Sequence, residues 1–407
     1  MRIAMVSEHA SPLACLGGVD AGGQNVHVAA LSAALVGRGH EVVVYTRADQ
    51  AALPRRVRMA SGVQVEHVHA GPPREVPKDE LLPYMDAFAV QLARRWRLDP
   101  PDVVHGHFWM SGLAAIKAAG VTATPVLQTF HALGTVKRRW QGAGDTSPTA
   151  RIGLERRVAC SVDRIIATCT DEVAELSAMG AAEGRIDVVP CGVDLDLFKT
   201  VDPQPRRGDR PARLLVVGRL VERKGIEDAV RAMAYLPDTE LVVVGGPSPD
   251  ELAGDPEIAR LAAIARECGT VERVTFTGRV THDELPAVIR GADVLLAVPW
   301  YEPFGIVPLE AMACGVPVVA TAVGGLLDTI VAGVTGVFVE PRNPAAIAAA
   351  TQKLLADERG RAAMGAAGRK RAQSRYGWDW VARKTEESYL SVLAEHRDAV
   401  RTAEAIR

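Results

Sequence analysis

Leu295-Leu296-Ala297-Val298-Pro299-Trp300-Tyr301-Glu302-Pro303-Phe304-Gly305-Ile306-Val307-Pro308-Leu309-Glu310 carries the logic of the fold in one stretch. Its first four residues are an apolar run of strand length. Pro308 suits the first turn of a helix, so a helix begins near Ile306. A strand feeding a helix through a loop is half of a βαβ unit. The same alternation recurs along the chain, and repeated strand–helix alternation predicts a parallel sheet with helices on both faces.

Working outward, the expected strands of the first half are Ile3–Val6, Glu41–Thr46, Val63–His67, Val103–His105, Val126–Thr129, Arg164–Thr168 and Ile186–Val189. Helical patterns lie between several of them, at Asn25–Gly37, Leu81–Arg97 and Ser111–Ala119. The stretch from Asp202 to Pro211 is rich in proline and charge, has no apolar period, and reads as a linker. The pattern then restarts with Arg213–Val217, Glu240–Val244, Val274–Thr277, Val294–Ala297, Val316–Ala320 and Gly336–Val339. Two doubly wound α/β domains are therefore expected, with a cleft between them. The first spans residues 1–203 and is joined by a C-terminal helix at about 385–407; the second spans 204–384.

Composition narrows the classes. The 407 residues are 48% apolar and 24% charged, which excludes a disordered chain and a small disulfide scaffold. A formal charge of −2 argues against a general nucleic-acid surface. None of the six cysteines forms a C-x-x-C pair, so free thiols in a reducing compartment are expected. Met1–Val6 is too short an apolar run for a leader, and the charge-free stretch Ala311–Leu327 is broken by glycines and a proline. A cytoplasmic protein follows as the expectation, with peripheral membrane contact and a homodimer left open.

Ligands of open α/β sheets bind outside the carboxyl ends of the strands, so residues just after strands are the candidates. Four glycines, Gly17, Gly18, Gly22 and Gly23, precede a helix, and free amides there suit an anion, although a plain loop reads equally well. The pairs His67-Val68-His69 and His105-Gly106-His107 put two imidazoles on one strand face. Neither shows the third ligand a metal needs, so core histidines are the better reading. His131 ends a strand beside Lys137, Arg138 and Arg139, which serve either a ligand or a solvated face. In the second half, Arg219 and Lys224 lie across a loop–helix turn with Gly225 after them, a spacing that lets both cations reach one diphosphate. The amides of Gly305, Ile306 and Val307 can hold a phosphate or a sugar hydroxyl. Glu302 and Glu310 are acceptors for vicinal diols. Asp194-Leu195-Asp196 matches a magnesium-binding tripeptide but reads better as a structural turn.

These residues together resemble the GT-B-fold retaining glycosyltransferases of family 4, over nearly the whole chain. The resemblance rests on Gly22–Gly23, Arg219 with Lys224, Glu302 with Glu310, Gly192-Val193-Asp194 leading to Phe198, and Gly324-Gly325 followed by Asp328. It implies that Arg219 and Lys224 hold the donor diphosphate, Glu310 the ribose and Glu302 the hexose. Gly305, Ile306 and Val307 would offer amides, Phe304 would lie beside the donor, and Gly278-Arg279-Val280 would cradle the base. His131 would sit at the reaction centre, with His131, Glu302, Arg219 and Lys224 as the catalytic set. Gly23 would approach the donor, and Asn25 the phosphate or acceptor. The resemblance implies no required cofactor or metal, a UDP-sugar as substrate, and a crossing back to the first domain at Tyr376–Trp380.

Within the family, Gly22–His27, His105–Gly112 and Thr129–Lys137 look most like the mycothiol-pathway inositol phosphate N-acetylglucosaminyltransferases, then the sucrose-phosphate synthases. That implies Lys78, His107, Phe108 and Arg156 or Arg157 around an acceptor. Phe108 stands where those enzymes imply a tyrosine, and Ala132 where they imply a hydroxyl residue. Each lost hydrogen bond to a charged group costs on the order of 1.5–3 kcal/mol, which turns the reading toward another small acceptor: a sugar, a sugar phosphate or a natural product. A nucleotide-sugar epimerase and a non-catalytic nucleotide-sugar binder are the competing readings.

Overall fold

The computed structural model describes residues 1–14, 22–201 and 210–405. Gly17, Gly18 and most of the expected linker lie outside them. The chain forms two compact units, Met1–Pro190 with Trp378–Arg407, and Cys191–Gly377.

The first unit holds eight strands: β1 (Arg2–Val6), β2 (Glu41–Arg47), β3 (Arg56–Arg58), β4 (Gln64–Val68), β5 (Val103–His107), β6 (Val126–Thr129), β7 (Arg164–Ala167) and β8 (Ile186–Val188). Their order is β3-β4-β2-β1-β5-β6-β7-β8. All pairs are parallel except the edge strand β3, which runs antiparallel to β4. The inner strands are buried on both faces, hence runs such as Val42-Val43-Val44 rather than strict alternation. The strand β3 escapes sequence reading because Arg56-Val57-Arg58 offers a single apolar residue.

Ile3, Met5, Val42, Val44 and Leu127 pack with Val28, Leu31 and Leu35 of the helix Gly23–Gly37. The C-terminal helix Trp378–Ala405 adds Val381, Ala382, Tyr389 and Val392 to this core. Arg38 and His40 tie it further through Glu386. The helix therefore joins the first unit from Trp378 onward, ahead of the expected 385.

The second unit is a six-stranded, all-parallel sheet: β9 (Ala212–Val217), β10 (Thr239–Val244), β11 (Val274–Gly278), β12 (Val294–Ala297), β13 (Val318–Thr321) and β14 (Gly336–Val339), ordered β11-β10-β9-β12-β13-β14. Its two faces carry separate apolar clusters, one around Leu214, Ile226 and Leu241, the other around Leu215, Leu295 and Leu309. Val193 and Phe198 belong to the second cluster, which is why this unit begins at Cys191 rather than after the linker. Asp194 caps its own turn, accepting from the amides of Asp196 and Leu197 at 2.9 and 3.0 Å.

Candidate active site

Each sheet has one point where connections leave in opposite directions: between β1 and β5 in the first unit, and between β9 and β12 in the second. Crevices form outside the carboxyl ends of strands at such points. Several of the candidate residues follow the strands beside these two points.

In the first unit, β1 runs into Ser7-Glu8-His9. Glu8 is buried, receives the Ser111 hydroxyl, and meets His9 Nδ1 at 2.8 Å. Beyond β5, Phe108 adopts φ 79°, an unusual value for a bulky residue. Its amide bonds the Thr129 carbonyl at 2.9 Å, and its own carbonyl accepts from Gln128 Nε2 at 3.0 Å. His131, beyond β6, also takes positive φ, at 62°. Its Nε2 lies 3.0 Å from His107 Nδ1, with the rings stacked. His27 adds an edge-on ring 5.0 Å from His131. His105 is held by the Tyr389 hydroxyl at 2.8 Å and Thr129 Oγ1 at 2.9 Å. Burial pushes His27 down to about 4 and His105 to about 3, and holds His107 and His131 well below the usual imidazole range. The four rings are therefore neutral at pH 7. His107 Nε2 has no hydrogen-bond partner among the described residues.

The Asn25 side chain is bonded within its own loop. Its Oδ1 accepts from the Gly22 amide and its Nδ2 donates to the Ser11 carbonyl, both at 3.0 Å, so both ends of the amide hold the loop. Gly23 opens the helix. Gln24 does the reaching, from Nε2 to Ser7 Oγ at 3.2 Å and to the His107 carbonyl at 3.3 Å.

Arg156 lies on the exposed side of the helix Arg151–Ser161, near Gly180. The cation beside Phe108 is Arg151, whose guanidinium carbon sits 5.1 Å from the Phe108 ring centroid. Arg151 pairs with buried Glu155 at 2.7 Å, and donates to the Ala132 carbonyl at 2.7 Å and Ser147 Oγ at 3.1 Å. Lys137 shares Ser147 at 2.8 Å and meets Asp145 at 3.1 Å. The burial of Asp145 works against its charge, but Ser147 and Lys137 prevail and hold its carboxyl at about 2. Lys78 lies in the turn that carries Asp79, and Asp79 meets both Lys137 and Thr146. The structure thus gathers the Lys78 turn, Lys137, Arg151 and Phe108 in one region. A sequence reading misses Arg151 and Glu155 because an i,i+4 ion pair on a helix is ordinarily a surface feature.

In the second unit, Arg219 is exposed just after β9. Gly225 takes φ 66°, and a Cβ there would run into the Val298 carbonyl beyond β12. This contact lets the β9 and β12 loops dock, sealed by the Trp300 amide on the Arg223 carbonyl at 2.8 Å. Lys224 Nζ then forms an ion pair with Glu302. Burial opposes the Glu302 charge, yet Lys224, Arg223 and the Phe304 amide outweigh it and hold the carboxyl below its usual range. Gly324, at φ 50°, leaves room for the Glu302 carbonyl, which accepts the Gly325 amide at 2.8 Å.

Gly305 caps the helix Ile306–Ala313, with Pro308 in its first turn. The amides of Ile306 and Val307 belong to that turn, whose donors have no partners within the helix. Glu310 lies one turn on. It is 5% exposed, its Oε2 has no hydrogen-bond partner among the described residues, and burial pushes its carboxyl up to about 8. Such an orphaned acceptor is costly unless a ligand satisfies it. The turn Gly278-Arg279-Val280 follows β11 and is bound to the β10 loop, Arg279 N to the Pro247 carbonyl at 2.9 Å. Two features here lie outside the sequence reading: Asp228 accepts from the Trp300 indole at 3.2 Å, and Arg342 stacks 3.8 Å over the same ring.

Among the described residues, no group of three His, Cys, Asp or Glu side chains is arranged to hold a metal, and no helix is long and apolar enough to cross a membrane.

Residues 21–197 match the family described as Glycosyltransferase Family 4, and residues 198–371 that described as Glycosyl transferases group 1. The chain is 39% identical to a D-inositol 3-phosphate glycosyltransferase of Xylanimonas cellulosilytica, over 94% of each chain. Identity is also 39% to the protein of that name in Mycobacterium tuberculosis, over 97% of this chain and 84% of the relative. Among solved structures, the sucrose-phosphate synthase from Thermosynechococcus elongatus superposes with a TM-score of 0.88 at 32% identity, covering 97% of this chain and 99% of that one. Anabaena HepE, solved with UDP and glucose, shares the fold at 20% identity with a TM-score of 0.74, covering 96% of this chain and all of that one.

Proposed function

We propose that this chain, which belongs to the group 1 and family 4 glycosyltransferases, moves a hexose with retention from a UDP-linked sugar to a hydroxyl of a small polar acceptor. The observation that carries the donor assignment is Glu310, a buried carboxylate with an unsatisfied oxygen at the switch point of a GT-B-type second domain. A ribose diol supplies the missing donors. The diphosphate engages Arg219 and Lys224. By taking Lys224, it releases Glu302 to accept from the hexose hydroxyls, and the Gly305–Val307 amides receive the remaining oxygens.

In this mechanism the acceptor hydroxyl attacks the anomeric carbon from the face that the nucleotide leaves. A β-phosphate oxygen takes the acceptor proton, so no protein nucleophile is required. Arg219, Lys224 and the helix amides stabilise the charge that develops on the leaving diphosphate. His131 and His107, kept neutral by burial, position the sugar by hydrogen bonds rather than by charge. No step calls for a metal ion.

The relatives' name points to inositol phosphate as acceptor. Three observations weigh against a phosphate here: Phe108 and Ala132 lack hydroxyls, and Arg151 and Lys137 already hold Glu155 and Asp145. A sugar or other small polyol, with or without phosphate, is the proposed acceptor class.

The test incubates purified protein with UDP-, GDP-, ADP- and TDP-sugars, alone and with an acceptor panel that includes inositol phosphate. One nucleotide should be released, slowly alone and faster with a matching acceptor, and the product should keep the donor's anomeric configuration. Inversion, or an altered sugar formed without acceptor, would overturn the mechanism.

A further inference from the structure

Beside the β3–β4 edge of the first sheet, four arginines converge on a cavity of about 360 Å³. Arg55 and Arg56 come from the start of the antiparallel edge strand β3. Arg94 and Arg95 come from the last turns of the helix Met85–Leu98. Between them lies Glu66, in the middle of β4 and fully buried. Arg56 binds Glu66 at 2.5 Å, Arg95 forms a second close ion pair with it, and Arg55 stands 3.7 Å away. The other acid of the cavity, Asp99, is paired with Arg2. Among the described residues Arg94 has no ion pair.

One buried carboxylate thus serves as the hub for a set of guanidiniums whose charge it does not balance. A surface salt bridge would pair the charges one to one. Here the hub fixes the orientation of Arg56 and Arg95, and the donors that remain on Arg55, Arg94 and Arg95 line the cavity beside the Gln91 amide. Planar forks held in advance around a positive hollow match the oxygens of a phosphate group. The volume falls at the lower end of the range for small-molecule sites. The wall is the face of β2 and β4, so the cavity lies apart from the strand ends that carry the transferase residues.

We propose that this pocket is a second ligand site, which binds a phosphomonoester through Arg55, Arg56, Arg94 and Arg95. It does not depend on the donor and acceptor assignments above. A soluble phosphorylated metabolite and a phosphomonoester lipid headgroup share this chemistry, and Leu98, 89% exposed at the rim, is compatible with either.

Hydrogen–deuterium exchange of the full chain tests the site locally. Inorganic phosphate, at constant ionic strength against chloride, should slow exchange severalfold and saturably in segments 55–66 and 91–99. If the natural source is a lipid, vesicles containing phosphatidic acid should protect the same segments at concentrations where free phosphate does little, and should sediment the protein. Arg55→Ala/Arg94→Ala should abolish either effect. It leaves both close pairs of Glu66 in place, so folding is retained and verified by an unchanged melting temperature. Protection by neither probe, or equal protection in the double variant, overturns the proposal.

Discussion

The two switch points handle polarity in opposite ways. In the first unit the chemistry-bearing groups are imidazoles, buried and neutral, and its cations Arg151 and Lys137 are matched by Glu155 and Asp145. In the second unit a buried carboxylate stands without a full set of donors, and a lysine and a glutamate hold each other at a loop junction. At the first unit's switch point the charges are matched, and the open hydrogen-bonding position is a neutral one, His107 Nε2, which has no partner among the described residues. The second pays for an unfinished hydrogen-bond set that a diol and a diphosphate would finish. That contrast supports the proposal that the nucleotide diphosphate binds at the second unit, and that the first takes a ligand read by shape and neutral hydrogen bonds.

The sharpest way to break this contrast is to remove the diphosphate cations. Lys224→Ala or Arg219→Ala should lower kcat/KM about 10²–10³-fold, the scale for losing one group that stabilises developing charge, while the fold is retained by circular dichroism. Near-normal turnover in both would detach the pair from the donor. Next in size is Glu310→Gln. It should weaken nucleotide binding about tenfold or more, measured by calorimetry, because one strong acceptor for the ribose is lost. It should also raise the melting temperature of the free protein above pH 8, where the wild-type side chain carries a buried charge. A residue that merely supports the fold would show the reverse.

A third experiment probes the first unit. Phe108→Tyr/Ala132→Thr should raise kcat/KM with inositol phosphate about tenfold or more, each restored hydroxyl contributing on the order of 1.5 kcal/mol. No gain would show that Arg151 and Lys137 do not face the acceptor.

The smallest effect separates the units by pH. His27 and His105 titrate in the folded state near 4 and 3, well below the ordinary 6.5. The unfolded chain therefore binds more protons below 6.5, and the first unit loses stability as pH falls from there toward 4. Glu310 titrates near 8 instead of 4.5. Here the folded state binds the extra proton, so its contribution is present below 4.5 and is lost as pH rises through 8. Melting curves should decline on both sides, by about 2–4 °C for each kcal/mol in a unit of this size. Glu310→Gln should flatten only the alkaline side. A curve unchanged by that substitution would remove Glu310 from the account of the second unit.

Much of this was legible in the residues. Arg219, Lys224 and Glu302 stand just after strands, and their spacing brings the lysine onto the glutamate. Gly225 and Gly324 are where the β9 and β13 loops meet the backbone beyond β12. What stayed hidden depends on packing between distant segments. His27 reads as a helix residue, and only the fold sets it against His131. The burial of Arg151 and Glu155 needs the helix Gly134–Gln141, whose first amide bonds Glu155 at 2.7 Å. Asn25 has the right position for a ligand contact, yet Gly22 and Ser11 consume its amide. The β3 edge was invisible because three residues with two arginines carry no strand period.

Calorimetric titration of UDP into the wild-type chain and into Lys224→Ala and Glu310→Gln tests the central claim most directly. The expected result is saturable one-to-one binding in the wild type, with affinity reduced about tenfold or more in each variant and a proton released as ribose binds Glu310 near pH 7. Equal binding by all three proteins, or no binding of UDP to the wild type, would contradict a donor site built on these residues.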